Sequence, residues 1–94
     1  MSVYLVSYDL NRPGQEYEAL WSAIQSYPRC CHALKSQWFV CSDSSAEQIC
    51  KHLRGFIDED DFLFVSEVTA DRQSGWLADD VAAWLKTQLL SQLW

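Results

Sequence analysis

Three segments of this chain are apolar on both of their faces, and any fold it adopts has to accommodate that. Side chains alternate across a β-strand. In Val3 to Asp9, Val3, Leu5, Ser7 and Asp9 fall on one side, and Tyr4, Val6 and Tyr8 on the other. Further along, Trp38 and Val40 oppose Phe39 and Cys41, and Phe62 and Phe64 oppose Leu63 and Val65. A strand with one solvated face would alternate apolar with polar residues. These strands need cover on both sides of their sheet.

The available cover is helical. Gln15 to Tyr27 carries Tyr17, Leu20, Trp21 and Ile24 in one apolar stripe at helical spacing. Pro28 stops it, because the residue before a proline is pushed out of the helical region. Ser44-Ser45-Ala46-Glu47 reads as a capping box, a serine followed three residues later by glutamate. It opens a second helix with Ile49, Cys50, Leu53 and Phe56 inward. From about Leu77 a last helix carries Val81, Trp84, Leu85 and Leu89. Asp79 and Asp80 suit the positive end of its dipole.

The connections follow. Asn11-Arg12-Pro13-Gly14 is a turn. Arg29 to Leu34 and Gln37 to Asp43 form a hairpin turning at Lys35-Ser36, which sets Cys30 opposite Cys41 and His32 opposite Phe39. Asp58-Glu59-Asp60-Asp61 is a solvated acidic loop without the EF-hand pattern. Thr69 to Gly75 is a polar connection. The predicted order is β-α-β-β-α-β plus a trailing helix, an α+β chain of the ferredoxin-like kind: an antiparallel sheet with two helices on one face. It is one domain over residues 1–94, with the βαββαβ core in 1–68 and the connector and C-terminal helix in 69–94. The second sheet face falls to the trailing helix or to a second subunit, since a large exposed apolar patch is rare in a monomer. A two-fold dimer is the commonest such solution.

Composition narrows the function. The formal net charge is −6, and no Lys/Arg stripe is visible. Non-specific binding to DNA or to an anionic membrane surface depends on such cations. A divalent cation bridging to a phosphodiester would supply the missing charge. Five tryptophans are many for a small domain and point to a protein partner. No apolar run approaches the roughly 20 residues that span a bilayer. The N-terminus enters a strand directly and has no basic leader, so no signal peptide is expected. Cys30, Cys31, Cys41 and Cys50 form no C-x-x-C pair, and the two histidines do not complete a zinc-finger spacing. They read as free thiols in a reducing cytoplasm.

The candidate site lies at the end of the first strand. Asp9 is a carboxylate at the exit of an apolar strand, beside a sheet end. Two readings stand: a magnesium ligand, since that ion suits one or two carboxylates with water and phosphate oxygens, or a turn residue bonding nearby backbone. Ser7 shares its face, as a phosphate contact or a filler. Tyr8 reads as a core aromatic with a satisfied hydroxyl, and His32 as a general acid or a structural histidine. Trp38, Trp76 and Trp84 read as packing residues, and Leu93-Trp94 as a segment docked in a groove.

Tyr4-Leu5-Val6-Ser7-Tyr8-Asp9-Leu10, a Pro-Gly turn and helix, then Ser36-Gln37-Trp38-Phe39-Val40 and Ser44-Ser45-Ala46-Glu47-Gln48-Ile49, resemble a group of small bacterial and phage proteins often labelled SinR-like. That group is related to the CRISPR-associated Cas-two family. The resemblance spans the chain to about Val68 and extends more loosely to the last helix. It implies a ferredoxin-like fold, a homodimer packed through the sheets and a setting in defence. Some members of the family are metal-dependent endonucleases, others scaffold a spacer integrase, and the related VapD toxins are ribonucleases of similar fold. The family's strand-end Tyr-Asp pair matches Tyr8 and Asp9. The resemblance thus implies a catalytic role for both, with Asp9 and its copy across the dimer axis holding Mg2+ or Mn2+. The sequence departs from the pattern in three ways: the basic residues after the aspartate are reduced to Arg12, the chain is acidic, and the trailing segment reads as helix where the family carries a strand. Two functions follow as expectations, a metal-dependent nuclease on RNA or DNA and a non-catalytic dimeric protein-binding or scaffold module.

Overall fold

The computed structural model describes residues 1–11 and 17–91. The elements run β1 (Ser2–Asp9), α1 (Glu18–Gln25), β2 (Arg29–Leu34), β3 (Gln37–Ser42), α2 (Ala46–Arg54), β4 (Phe62–Val68) and α3 (Asp79–Ser91). The strands form one antiparallel sheet in the order β2-β3-β1-β4. This α+β architecture of four strands and three helices is compatible with a ferredoxin-like fold. The predicted turn at residues 12–14 and the terminal Leu93-Trp94 lie outside the described residues.

The two faces of β1 feed two separate cores. Tyr4, Val6 and Tyr8 pack with Trp38 and Val40 against Leu20, Ala23 and Ile24 of α1 and Ile49 and Leu53 of α2. Spacings of three and four residues put these positions on one side of each helix. Leu20, Ile24, Ile49 and Leu53 are wholly buried. Each such side chain contributes about 1.5–3 kcal/mol of transfer free energy. On the opposite face Val3, Phe39 and Cys41 pack against Val81, Leu85 and Leu89 of α3. Gln88 anchors that helix: its Oε1 accepts from Arg29 Nη1 at 2.9 Å and from the Cys41 thiol at 3.7 Å.

The predicted hairpin register is corrected. Lys35-Ser36 is the turn and Leu34 pairs with Gln37, but an irregularity between His32 and Leu34 shifts every earlier pair by one. Cys30 therefore faces Val40, His32 faces Trp38, and Arg29 faces Cys41. A one-residue slip moves each side chain to the other face. Cys30 joins the α1/α2 core while Cys31 and Cys41 join the α3 core, so Cys30 and Cys41 are not neighbours across the hairpin.

The capping box also sits one residue later than predicted. Ser45, not Ser44, caps α2; its Oγ accepts from Gln48 N–H, and Gln48 Oε1 accepts from Ser45 N–H. Ser44 is occupied elsewhere. Its carbonyl accepts from the Tyr4 hydroxyl at 2.7 Å, and its N–H donates to Ser42 Oγ. Helix α1 stops at Gln25, two residues short of Tyr27. Phe56 lies beyond the end of α2 and is exposed.

Candidate functional site

Tyr8 and Asp9 end β1 on opposite faces. Tyr8 N–H extends the sheet ladder by donating to the Ser36 carbonyl at 3.0 Å. The Tyr8 ring is buried, and its hydroxyl oxygen accepts two indole N–H bonds, from Trp21 at 3.1 Å and from Trp38 at 3.2 Å. A phenolic oxygen has little acceptor capacity left after that. His32 completes an aromatic wall. Its ring stacks on Trp38 with centroids 4.3 Å apart and meets Trp21 edge-on at 5.4 Å. Its Nε2 lies 3.2 Å from the Lys35 carbonyl. That oxygen only accepts, so Nε2 carries a proton.

Asp9 is exposed and pairs with Phe62 of β4. Directly opposed residues of an antiparallel pair share a face. One row of that face therefore runs Leu34–Gln37–Ser7–Phe64, and the next holds Asp9 and Phe62. Gln37 Nε2 donates to Ser7 Oγ at 3.3 Å. Helix α3 covers the rows of Val3, Phe39 and Cys41 and leaves this end open. Phe62 is 69% exposed, Phe64 66% and Leu34 48%. The structure thus places Asp9 beside an uncovered apolar patch and Tyr8 behind it, inside the α1/α2 core.

Among the described residues, the side chains of one chain do not by themselves make a divalent-cation site here. No cluster of three metal-ligating side chains exists among the described residues. Asp9 contributes a single carboxylate, flanked by Phe62.

The acidic loop is not simply solvated. Asp61 is buried, and its carboxylate accepts from Asn11 N–H at 2.8 Å and from Asp58 N–H at 2.9 Å. Asn11 Nδ2 donates to Asp60. These bonds lock the exit of β1 to the loop before β4, so the Asp9 end of the sheet is held in place. Charge pattern alone did not distinguish Asp61 from its exposed neighbours Glu59 and Asp60.

The cysteines are free thiols. Burial pushes the Cys30 thiol up from its ordinary value. Cys31 is raised by burial first, then by the Asp80 carboxylate and Cys30. Cys41 is raised by burial, with Arg29 pulling the other way. Neutral thiols are poor nucleophiles, so these are not poised for covalent chemistry.

Trp76, expected to pack, is 99% exposed. It stands between Gly75 and Leu77, both of which line an apolar groove of about 310 Å³ against α3. No sequence pattern marked this groove. Among the described residues, no helix is long and apolar enough to cross a membrane. Comparison with protein families, curated proteins and solved structures finds no match for the chain.

Proposed function

We propose that this chain is a non-catalytic, homodimeric protein-interaction module of the cytoplasm, with a ferredoxin-like βαββαβ core of the Cas-two-related kind. The observation that carries this reading is the open end of the α3-side sheet face, where Leu34, Phe62 and Phe64 stand uncovered on a rigid sheet. Exposed apolar patches rimmed by polar groups mark association surfaces. The acidic charge of −6 supports a protein partner over nucleic acid. Sedimentation at micromolar concentration tests the dimer: twice the chain mass is expected. Phe62→Ser with Phe64→Ser should return the protein to a monomer. A wild-type monomer at every concentration defeats the reading.

A second reading is favoured by one observation, that Asp9 lies on this same open face. Two copies meeting there would bring two Asp9 carboxylates into one site, the ligand count that Mg2+ or Mn2+ accepts. The protein would then be a metal-dependent nuclease on RNA or DNA, with Tyr8 as a support behind the strand. Wild type and Asp9→Asn are compared on single-stranded and duplex RNA and DNA, with and without metal. Metal-dependent cleavage lost on the order of 10²-fold in Asp9→Asn establishes the nuclease, by analogy with losses at metal sites. No cleavage by either protein leaves the interaction module.

A further inference from the structure

We propose that the two copies of the dimer exchange Trp76, each seating its indole in the other's α3 groove. This rests on the homodimer reading and specifies how the copies lock. Trp76 projects wholly into solvent from the connector between β4 and α3. Its neighbours Gly75 and Leu77 help wall the groove, whose remaining apolar lining is Ala70, Ala82, Leu85, Leu89 and Leu90. The connector thus carries a knob and a hole side by side. A two-fold interface places the same patch on both subunits, so knob and hole next to one axis are filled reciprocally. An indole buries roughly 150–250 Å², and none of that burial is realised in the single chain.

The groove also shows electrostatic complementarity to an indole. Lys86 lines it and makes no ion pair among the described residues. An ammonium over the face of a tryptophan is attracted by the ring quadrupole, and tryptophan is the best of the aromatic acceptors. Leu85 and Leu89 at the groove belong to the core between α3 and the sheet, so the hole lies on the α3 side of the sheet, the side that also carries Phe62 and Phe64 at its open end. Two exchanged indoles fall short of the roughly 1,200 Å² that a stable interface buries. Phe62 and Phe64 on that side would supply further area, and a dimer of micromolar strength is expected.

The test uses two variants at exposed positions and their mixture, followed by analytical ultracentrifugation. Trp76→Ala removes the knob and keeps the hole. Leu90→Glu, at a 48% exposed groove residue, spoils the hole and keeps the knob. Each is expected to weaken self-association tenfold or more, with circular dichroism unchanged. Mixed together, they retain one intact exchange, the Trp76 of one variant in the groove of the other. The mixture should associate more tightly than either variant alone. If wild type dimerises and Trp76→Ala does so equally well, or if the mixture is no tighter than its components, the exchange is overturned while the dimer stands. If wild type never dimerises, both fall together.

Discussion

The two faces of one sheet are finished differently. On the α1/α2 side the core is continuous: wholly buried Leu20, Ile24, Ile49 and Leu53 sit over Tyr4, Val6 and Tyr8. On the α3 side a single helix of 13 residues covers the Val3 end, while the Asp9 end shows Phe62 and Phe64 to solvent. Both faces carry apolar side chains from the same strands. What separates them is how much helix is available: two helices span the first face and one crosses the second. The first face closes within the single chain, and the second buries a core under α3 but leaves Phe62 and Phe64 exposed.

Core truncation should break the comparison most sharply if it is wrong. Ile24→Ala or Leu53→Ala is expected to cost about 2–5 kcal/mol, the range for removing a fully buried aliphatic side chain. Phe64→Ala should stay within about 0.5 kcal/mol of wild type in the monomer, as surface substitutions do. Its effect should appear in association instead. Urea unfolding at concentrations below self-association measures both. A Phe64→Ala cost as large as that of Ile24→Ala would mean that the α3 face is closed.

Adjacent residues give the next test. Tyr8→Phe strips the acceptor from two indole N–H groups, of which that of Trp38 is buried. Leaving a buried donor unsatisfied costs about 1–3 kcal/mol. Asp9→Asn, one residue on and on the open face, should leave the urea midpoint nearly unchanged. Equal losses would show that Asp9 is tied into the fold and is not held out at its edge.

Much of this was readable in the sequence, and the failures are local. β2 and β4 begin and end where their composition said, because apolar runs bounded by Pro28 and the acidic loop leave little choice. The split of β1 into two faces follows from period-two alternation alone. The hairpin register was not readable. Lys35-Ser36 is the turn, but the slip between His32 and Leu34 has no glycine to announce it, and His32 flat against Trp38 accompanies it. The cap moved from Ser44 to Ser45 because a long-range bond from Tyr4 claims the Ser44 carbonyl. Burial of Asp61 and exposure of Trp76 depend on where loops meet distant elements, which composition does not encode. Asp9 and Tyr8 stood out as a pair by adjacency. The strand's alternation sends them to different environments.

The cap sharpens the picture at smaller scale. Ser45→Ala should cost about 1 kcal/mol, the usual penalty for losing a side-chain N-cap, and Ser44→Ala less, since the Ser44 bonds are made by its backbone. On the other face, Asp80 Oδ1 accepts from Val81 N–H in the first turn of α3. Asp80→Asn removes the charge and keeps an oxygen, so its cost should fall below that of Ser45→Ala. Thermal melts of the three variants rank them. A reversed order would put the better-anchored helix on the α3 face.

The smallest expected effect is also the most specific to the two faces, because Cys30 and Cys31 are neighbours in sequence and belong to different cores. Burial raises both thiols, and only Cys31 is raised further by Asp80. Asp80→Asn should therefore shift the alkylation profile of Cys31 to lower pH and leave that of Cys30 in place. Mass spectrometry after timed alkylation across neutral to alkaline pH resolves the two sites. The same burial has a consequence for stability, with a definite sign. A thiol raised in the folded chain stays protonated where the unfolded thiol, with an ordinary value of 9.0, has begun to ionise. The folded state then holds more protons than the unfolded one, and stability falls as pH rises through that value. Below it the thiols are neutral in both states and contribute no slope. Unfolding free energies should be flat in pH from the thiols near neutrality and decline above about pH 9, less steeply in Cys31→Ala than in wild type. A Cys30 profile that shifts with Asp80→Asn as far as that of Cys31 would mean that the sheet does not separate the two cores.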